Sequence, residues 1–201
     1  MFTMEELINN KANINEIELV KISDKLWEIG NLEEIKEQVG PNLFYLHIAI
    51  NIIGNWKTEG WWGIICEQAG LVPYIPEALN KLGLPELKVA FESVITIFPE
   101  YTIFDPNNST YCDIVNFFQN TRFKVQDKRL SCIAQAKRKE MVNQVQRNLD
   151  KLESLTEPFF SENSERNGWK QVLDYINKNI INNNERHKYA RARQNTKLDE
   201  I

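Results

Sequence analysis

Asn55, Glu59, Trp61, Trp62, Cys66 and Glu67 gather an amide, two carboxylates, two indoles and a thiol within thirteen residues, with His47 a little way upstream. An indole face beside a carboxylate acceptor is the chemistry of a small-ligand pocket, and His47, Asn55, Glu59, Trp61 and Trp62 are the candidate binding residues. The same residues also read structurally. Glu59 would cap the turn before Gly60, the two Trp rings would fill the gap between neighbouring helices, and His47 would be a satisfied core histidine. Nucleophilic catalysis needs a nucleophile and a base held by a third, orienting group, and no such third group can be named, so no catalytic residue is assigned.

No metal or cofactor is expected either. His47 and His187 are too far apart to form a local site, and Cys66, Cys112 and Cys132 are odd in number and widely spaced without a CxxC pair. That pattern fits reduced, buried thiols better than disulfides or zinc. P-loops, dinucleotide fingerprints, HExxH, EF-hand loops and GxSxG are all missing from the sequence.

The elements that must position these residues read as helices throughout. Helical spacing recurs almost everywhere, and alternating β-branched runs joined by Asn-Gly or Asp-Gly turns are missing, so the expected fold is an all-α, irregular multi-helix bundle with short turns. Helices are expected over Met4–Asn10, Asn15–Ile29, Leu32–Val39 and Asn42–Trp56, the last apolar nearly all round and central to the core. Gly40 followed by Pro41 marks the break between the third and fourth, since proline suits a first helical turn. A short helix carrying Trp61 to Cys66 should close at Gly70. Pro73 and Pro76 open the next, Gly83 stops it, and Pro85 starts an amphipathic helix running to Pro99. A loop over Glu100–Thr110 precedes a helix around Ile114–Phe118. One long helix is expected from Asp127 to Leu155, ended by Pro158, and a last one from Trp169 to Ile181. Residues 1–181 are read as a single domain and 182–201 as a basic, flexible tail.

Charge is divided along the chain. Residues 1–120 hold 17 acidic and 7 basic side chains, and residues 121–201 hold 11 and 17. Glu16, Glu18, Asp24, Glu28, Glu33, Glu34 and Glu37 form a candidate acidic face on the N-terminal helices. The basic set Arg122, Lys124, Lys128, Arg129, Lys137, Arg138 and Lys139, with Arg186, Lys188, Arg191 and Arg193, is a candidate for phosphate contact. The plainer reading of both is solvated helix faces that attract each other within one fold. An overall pI of about 5.4 and the want of a helix-turn-helix or stacking platform argue against nucleic acid as the main partner. The longest apolar run, Leu43–Ile53, falls short of the roughly 20 residues that span a bilayer. The N-terminus carries carboxylates instead of a basic region and apolar core, and a cytoplasmic location is expected.

Several short motifs carry a family likeness. Asn55, Glu59 and Gly60-Trp61-Trp62 are followed by Glu77-Ala78-Leu79, Leu82-Gly83, Ala90-Phe91 and Phe98-Pro99, and later by Leu152-Glu153-Ser154-Leu155, Pro158-Phe159-Phe160 and Tyr175-Ile176. This order resembles the bacterial family called domain of unknown function 4375, which includes a DNA-mimic protein, over about residues 43–181. The chain departs from the family pattern in having Trp61 where a second glycine is usual, Gly63-Ile64-Ile65-Cys66-Glu67 where Gln-aromatic-aromatic-x-Asn is usual, and an apparent insertion over 101–128. The resemblance implies a non-enzymatic interaction or regulatory protein whose partner is another protein, with a dimer possible. The alternatives are a small-molecule or enzymatic site around His47, Glu59, Trp61 and Trp62, and nucleic-acid contact through the basic C-terminal part.

Overall fold

The computed structural model describes residues 14–160 and 168–178. The expected helix Met4–Asn10, the end of the last helix, and the basic tail with Arg186, Lys188, Arg191 and Arg193 lie outside the described residues. Every regular element among the described residues is helical.

Asn15 opens α1 (Glu16–Trp27) by accepting the Glu18 amide on its side chain, and Leu19, Ile22, Ser23 and Leu26 are buried along it. After a short turn, Asn31 and Glu34 form a reciprocal capping box that starts α2 (Leu32–Glu67). This element is a run of three pieces. Gly40 (φ 73°, ψ 165°) and Gly60 (φ 67°, ψ 177°) occupy a region of backbone space that is essentially glycine-only, and each kinks the helix. Pro41 then serves the first turn of the middle piece, where its missing N–H costs nothing. The middle piece is the axis of the core, with most side chains from Leu43 to Trp56 buried.

The last piece of α2 ends at Glu67, ahead of the expected stop at Gly70, which instead lies in a 3-10 segment, Ala69–Tyr74. There follow α3 (Ile75–Lys81), α4 (Pro85–Ile95), α5 (Ser109–Gln119), the single turn α6 (Lys128–Ser131), the long α7 (Gln135–Phe160) and α8 (Gly168–Ile176). Helices α1, α3 and α8 pack on α2, while α7 lies mainly along α4 and also reaches α5 and α2. The Tyr175 hydroxyl donates to the Asn42 carbonyl (3.1 Å) and ties α8 to the start of the middle piece of α2.

Helix α4 ends at Ile95, short of the expected Pro99, and two further differences from the sequence reading have tertiary causes. The run expected from Asp127 to Leu155 is divided at Cys132–Ala134, although no glycine or proline lies there. Asp127 caps α6, and the chain then turns so that Arg138, in the first turns of α7, is buried against the end of α5. Its guanidinium donates to the carbonyls of Phe117 (3.0 Å), Asn120 (2.8 Å), Phe123 (2.9 Å) and Asn116 (3.2 Å), and lies over the Phe117 ring. A cation at a helix C-terminus satisfies carbonyls that have no intrahelical partner. The second difference is Pro158, which lies inside α7 instead of ending the helix before it. The proline removes one ladder bond close to the terminus, while Phe159 packs near Trp56 (ring centroids 6.1 Å) and holds the last turn to the core.

Candidate functional site

The chain is helical between the two glycine kinks of α2, so the rise per residue puts His47 and Glu59 about 18 Å apart along the axis. The five candidate binding residues therefore do not converge. They divide into a buried polar cluster around His47 and an aromatic clamp around Trp61.

His47 is fully buried where α1 crosses α2. Its Nδ1 lies 3.0 Å from Ser23 Oγ, and Asn51, one turn further along α2, donates to Ser23 Oγ (2.9 Å) and to the His47 carbonyl (2.8 Å). Asn51 Oδ1 accepts the Trp27 indole N–H (3.3 Å), and the Trp27 ring meets the imidazole edge-on with centroids 4.6 Å apart. Because Asn51 donates to Ser23, the serine is free to donate to Nδ1, which leaves the imidazole proton on Nε2; that atom has no partner. Burial pulls the imidazole down to about 4, so it is neutral near pH 7. A serine beside a neutral imidazole has the composition of an activated hydroxyl, but Ser23 and His47 are both closed to solvent and no group orients the second ring nitrogen. Chemically the cluster is a hydrogen-bonded lock between α1 and α2. Ser23 and Asn51 were not legible as its members: the i, i+4 spacing of His47 and Asn51 was visible, whereas Ser23 comes from another helix.

Trp61 is also fully buried, against Trp56 (5.2 Å) and Phe91 (5.4 Å). It begins the last piece of α2, and its amide donates to Glu153 Oε1 of α7 (2.8 Å), while its indole N–H reaches Thr156 Oγ1 (3.4 Å). Glu153 thus supplies from a distant helix the carboxylate cap that this helix start lacks locally. A methyl at Gly60 would meet the same carboxylate oxygen at 3.0 Å. Glu59 is exposed, with its Cβ packed where any side chain at Gly63 would have to go. Asn55 is half-buried, and its carbonyl accepts the Thr58 hydroxyl. Trp62 is half-buried and lines a cleft of about 240 Å³ with Phe118, Leu149, Asp150 and Glu153.

The thiols are free, but Cys112 and Cys132 are exposed and Cys66 half-buried, which corrects the expectation that all are buried. Their places on helix and turn surfaces, not their residue type, set this. Burial and the neighbouring Glu67 push the Cys66 thiol up to about 12, which keeps it protonated and weakly nucleophilic. The adjacent Ile65 carbonyl accepts the buried Tyr111 hydroxyl. Among the described residues no group of histidine, cysteine and carboxylate side chains converges well enough to hold a metal ion.

Glu16, Glu18, Asp24, Glu28, Glu33, Glu34 and Glu37 are all exposed; Glu18 pairs with Lys21 (2.8 Å), and Glu34 is engaged in the capping box. Of the basic residues, Arg138 is internal, Arg129 pairs with Asp127 (2.5 Å) and stacks over Tyr101, and Lys137 pairs with Glu140 (2.8 Å). Arg122, Lys124, Lys128 and Lys139 remain exposed. No helix among the described residues is long and apolar enough to cross a membrane. The chain matches no family model, no curated protein and no solved structure.

Proposed function

We propose that this helical protein is a non-enzymatic interaction module that binds another protein through the outer face of α1. The observation that carries the reading is an exposed apolar stripe set among carboxylates. Ile17 (65% exposed) and Val20 (42%) lie one turn apart on the side away from Leu19, Ile22 and Leu26, and the exposed edge of Trp27 (38%) extends the apolar surface where that ring passes onto α2. Glu16, Asp24 and Glu28 flank them, none in an ion pair among the described residues. Such a face fits a partner helix or strand bearing apolar residues bordered by lysine or arginine.

The kinship with the DNA-mimic family belongs to the same proposal, with the acidic N-terminal helices as the interacting surface. Close imitation of a duplex is the weaker form of it. Glu16, Glu18, Asp24 and Glu28 lie along about 18 Å of helix, a length over which a duplex presents about ten phosphates. The apolar stripe between them has no counterpart on a phosphate backbone.

The test is a pull-down with tagged full-length protein, with and without nuclease, beside the variant Ile17→Ser/Val20→Ser. Both changes fall on exposed positions and should leave thermal unfolding unaltered. A stoichiometric protein that survives nuclease and is lost with the variant supports the reading. A partner retained equally by the variant, or one that disappears with nuclease, overturns it.

A further inference from the structure

The loop that joins α5 to α6, residues 120–127, is pinned from both sides. Arg138 of α7 donates to the Asn120 and Phe123 carbonyls (2.8 and 2.9 Å), and Gln135 donates to the Thr121 carbonyl (3.2 Å). Asn120 Oδ1 accepts the Arg122 amide (2.9 Å), and the Asp113 carboxylate of α5 accepts the amides of Gln126 (2.8 Å) and Asp127 (2.7 Å). Val125 packs against the core. A segment without regular structure is thereby held in one shape, and that shape leaves Phe123 43% exposed, with the exposed cations Arg122 and Lys124 on either side of it in the chain. Neither cation has a carboxylate partner among the described residues.

We infer that this loop docks on the outer face of α1 of a second copy of the chain. The receiving face is a depression of about 580 Å³ lined, among the described residues, by Asn15, Glu16, Ile17, Val20 and Lys21. Ile17 and Val20 are its apolar groups, and Glu16 and Asp24 lie before and after them, about 12 Å apart along the helix. Lys21 is engaged by Glu18 (2.8 Å), whereas Glu16 and Asp24 are unpaired among the described residues. The two surfaces are complementary: an aromatic ring meets two branched aliphatic side chains, and two unpaired cations meet two unpaired carboxylates. Residues 122 and 124 are at most about 7 Å apart at their Cα atoms, and the long stems of arginine and lysine can span the remainder.

Both surfaces are exposed within one copy, so they do not cover each other there. A contact between unlike patches is heterologous, and each copy in it keeps one further patch free, so association continues past a dimer unless a ring closes. The loop arrives already shaped, which lowers the ordering cost, while the small area makes the contact weak and transient. Single-stranded nucleic acid fits the loop less well, since one ring offers no succession of stacking platforms and a polyanion also meets the net charge of −4. The proposal rests on α1 being a docking face, and a second copy supplies one occupant for it.

The experiment is sedimentation velocity of the purified full-length protein from about 10 μM to about 1 mM, at low and high salt, with Phe123→Ser and Ile17→Ser/Val20→Ser as variants. All three positions are exposed, and the bonds that pin the loop at Phe123 are made by its backbone, so unfolding temperatures should match the wild type. The wild type should gain mass with concentration, less so at high salt, and each variant should weaken the association at least about tenfold. An equimolar mixture of the two variants should recover it and stop at a dimer, because each retains the patch that the other lacks. Arg122→Gln/Lys124→Gln should weaken it as well and remove most of its salt dependence. A wild type that stays monomeric, a mixture that does not recover, or self-association kept by Phe123→Ser overturns the proposal. A lowered unfolding temperature of Ile17→Ser/Val20→Ser overturns it too, because that face is then covered by residues of its own chain. The pull-down reads foreign proteins and sedimentation reads the purified chain alone, so self-docking and the α1 reading can fail separately.

Discussion

Acidification should unlatch α1 from α2 through His47. The imidazole is fully buried, is held to about 4 by desolvation, and has an ordinary value of 6.5 once the chain unfolds. For a base whose folded value is depressed, the unfolded state binds the extra proton first, so stability falls as pH drops from about 6.5 to about 4 and is unaffected above that window. At 1.36 kcal/mol per unit, a difference of about 2.5 units amounts to about 3 kcal/mol, a large share of the total stability of a small domain. The assay is urea unfolding of wild type and His47→Gln at half-unit steps from pH 7.5 to 4.5, with the difference in unfolding free energy plotted against pH. Glutamine keeps an acceptor toward Ser23 but cannot titrate. The difference should be constant above about pH 7 and then move steadily against the wild type, reaching about 2.5 kcal/mol at pH 4.5. The chain has only two histidines, so proton NMR with a His187→Gln control can follow His47 directly. A flat difference curve, or an imidazole resonance titrating near 6.5, would refute the reasoning and mean that the α1–α2 contact opens to water.

Other substitutions test the remaining contacts. Arg138→Met should cost about 3 kcal/mol in urea unfolding, because three carbonyls at the end of α5 and that of Phe123 in the following turn lose a charged donor, and Arg138→Lys should restore only part of it. Gly40→Ala and Gly60→Ala impose the same kind of backbone strain, about 1–3 kcal/mol each. Only Gly60→Ala should be partly rescued by Glu153→Ala, since a methyl at 60 meets that carboxylate at 3.0 Å whereas nothing lies within 4 Å of one at 40; a double-mutant cycle checks this. Asn31→Ala removes one half of the capping box and should lower stability by about 1 kcal/mol in thermal unfolding.

The functional candidates illustrate where reading along the chain runs out. His47 and Trp61 lie close in the sequence, yet three helical turns and the Gly60 kink between them carry the one to α1 and the other to α7. Each proves to be bonded within the fold, and the groups that bond them, Ser23, Glu153 and Thr156, carry no signal beside them in the sequence. Arg138 is a comparable case. Written among lysines it reads as part of a basic surface, and only the approach of α5 turns it into an internal cap.

What the sequence determined by itself is the all-helical class and most of its punctuation. Gly40-Pro41, Gly60, Gly83-Leu84-Pro85 and the Asn15 and Asn31 caps act within one turn of themselves, so their effect needs no tertiary partner. The buried stripes of α1, α4 and α5 follow equally from residue spacing. Tertiary structure alone decided that α6 and α7 are separate, that Pro158 stays inside a helix, and that the aromatic cluster is clamped by Glu153. The physical reason is the same in each case: these outcomes depend on groups brought together from distant parts of the chain, and local spacing carries no information about which helix will lie alongside.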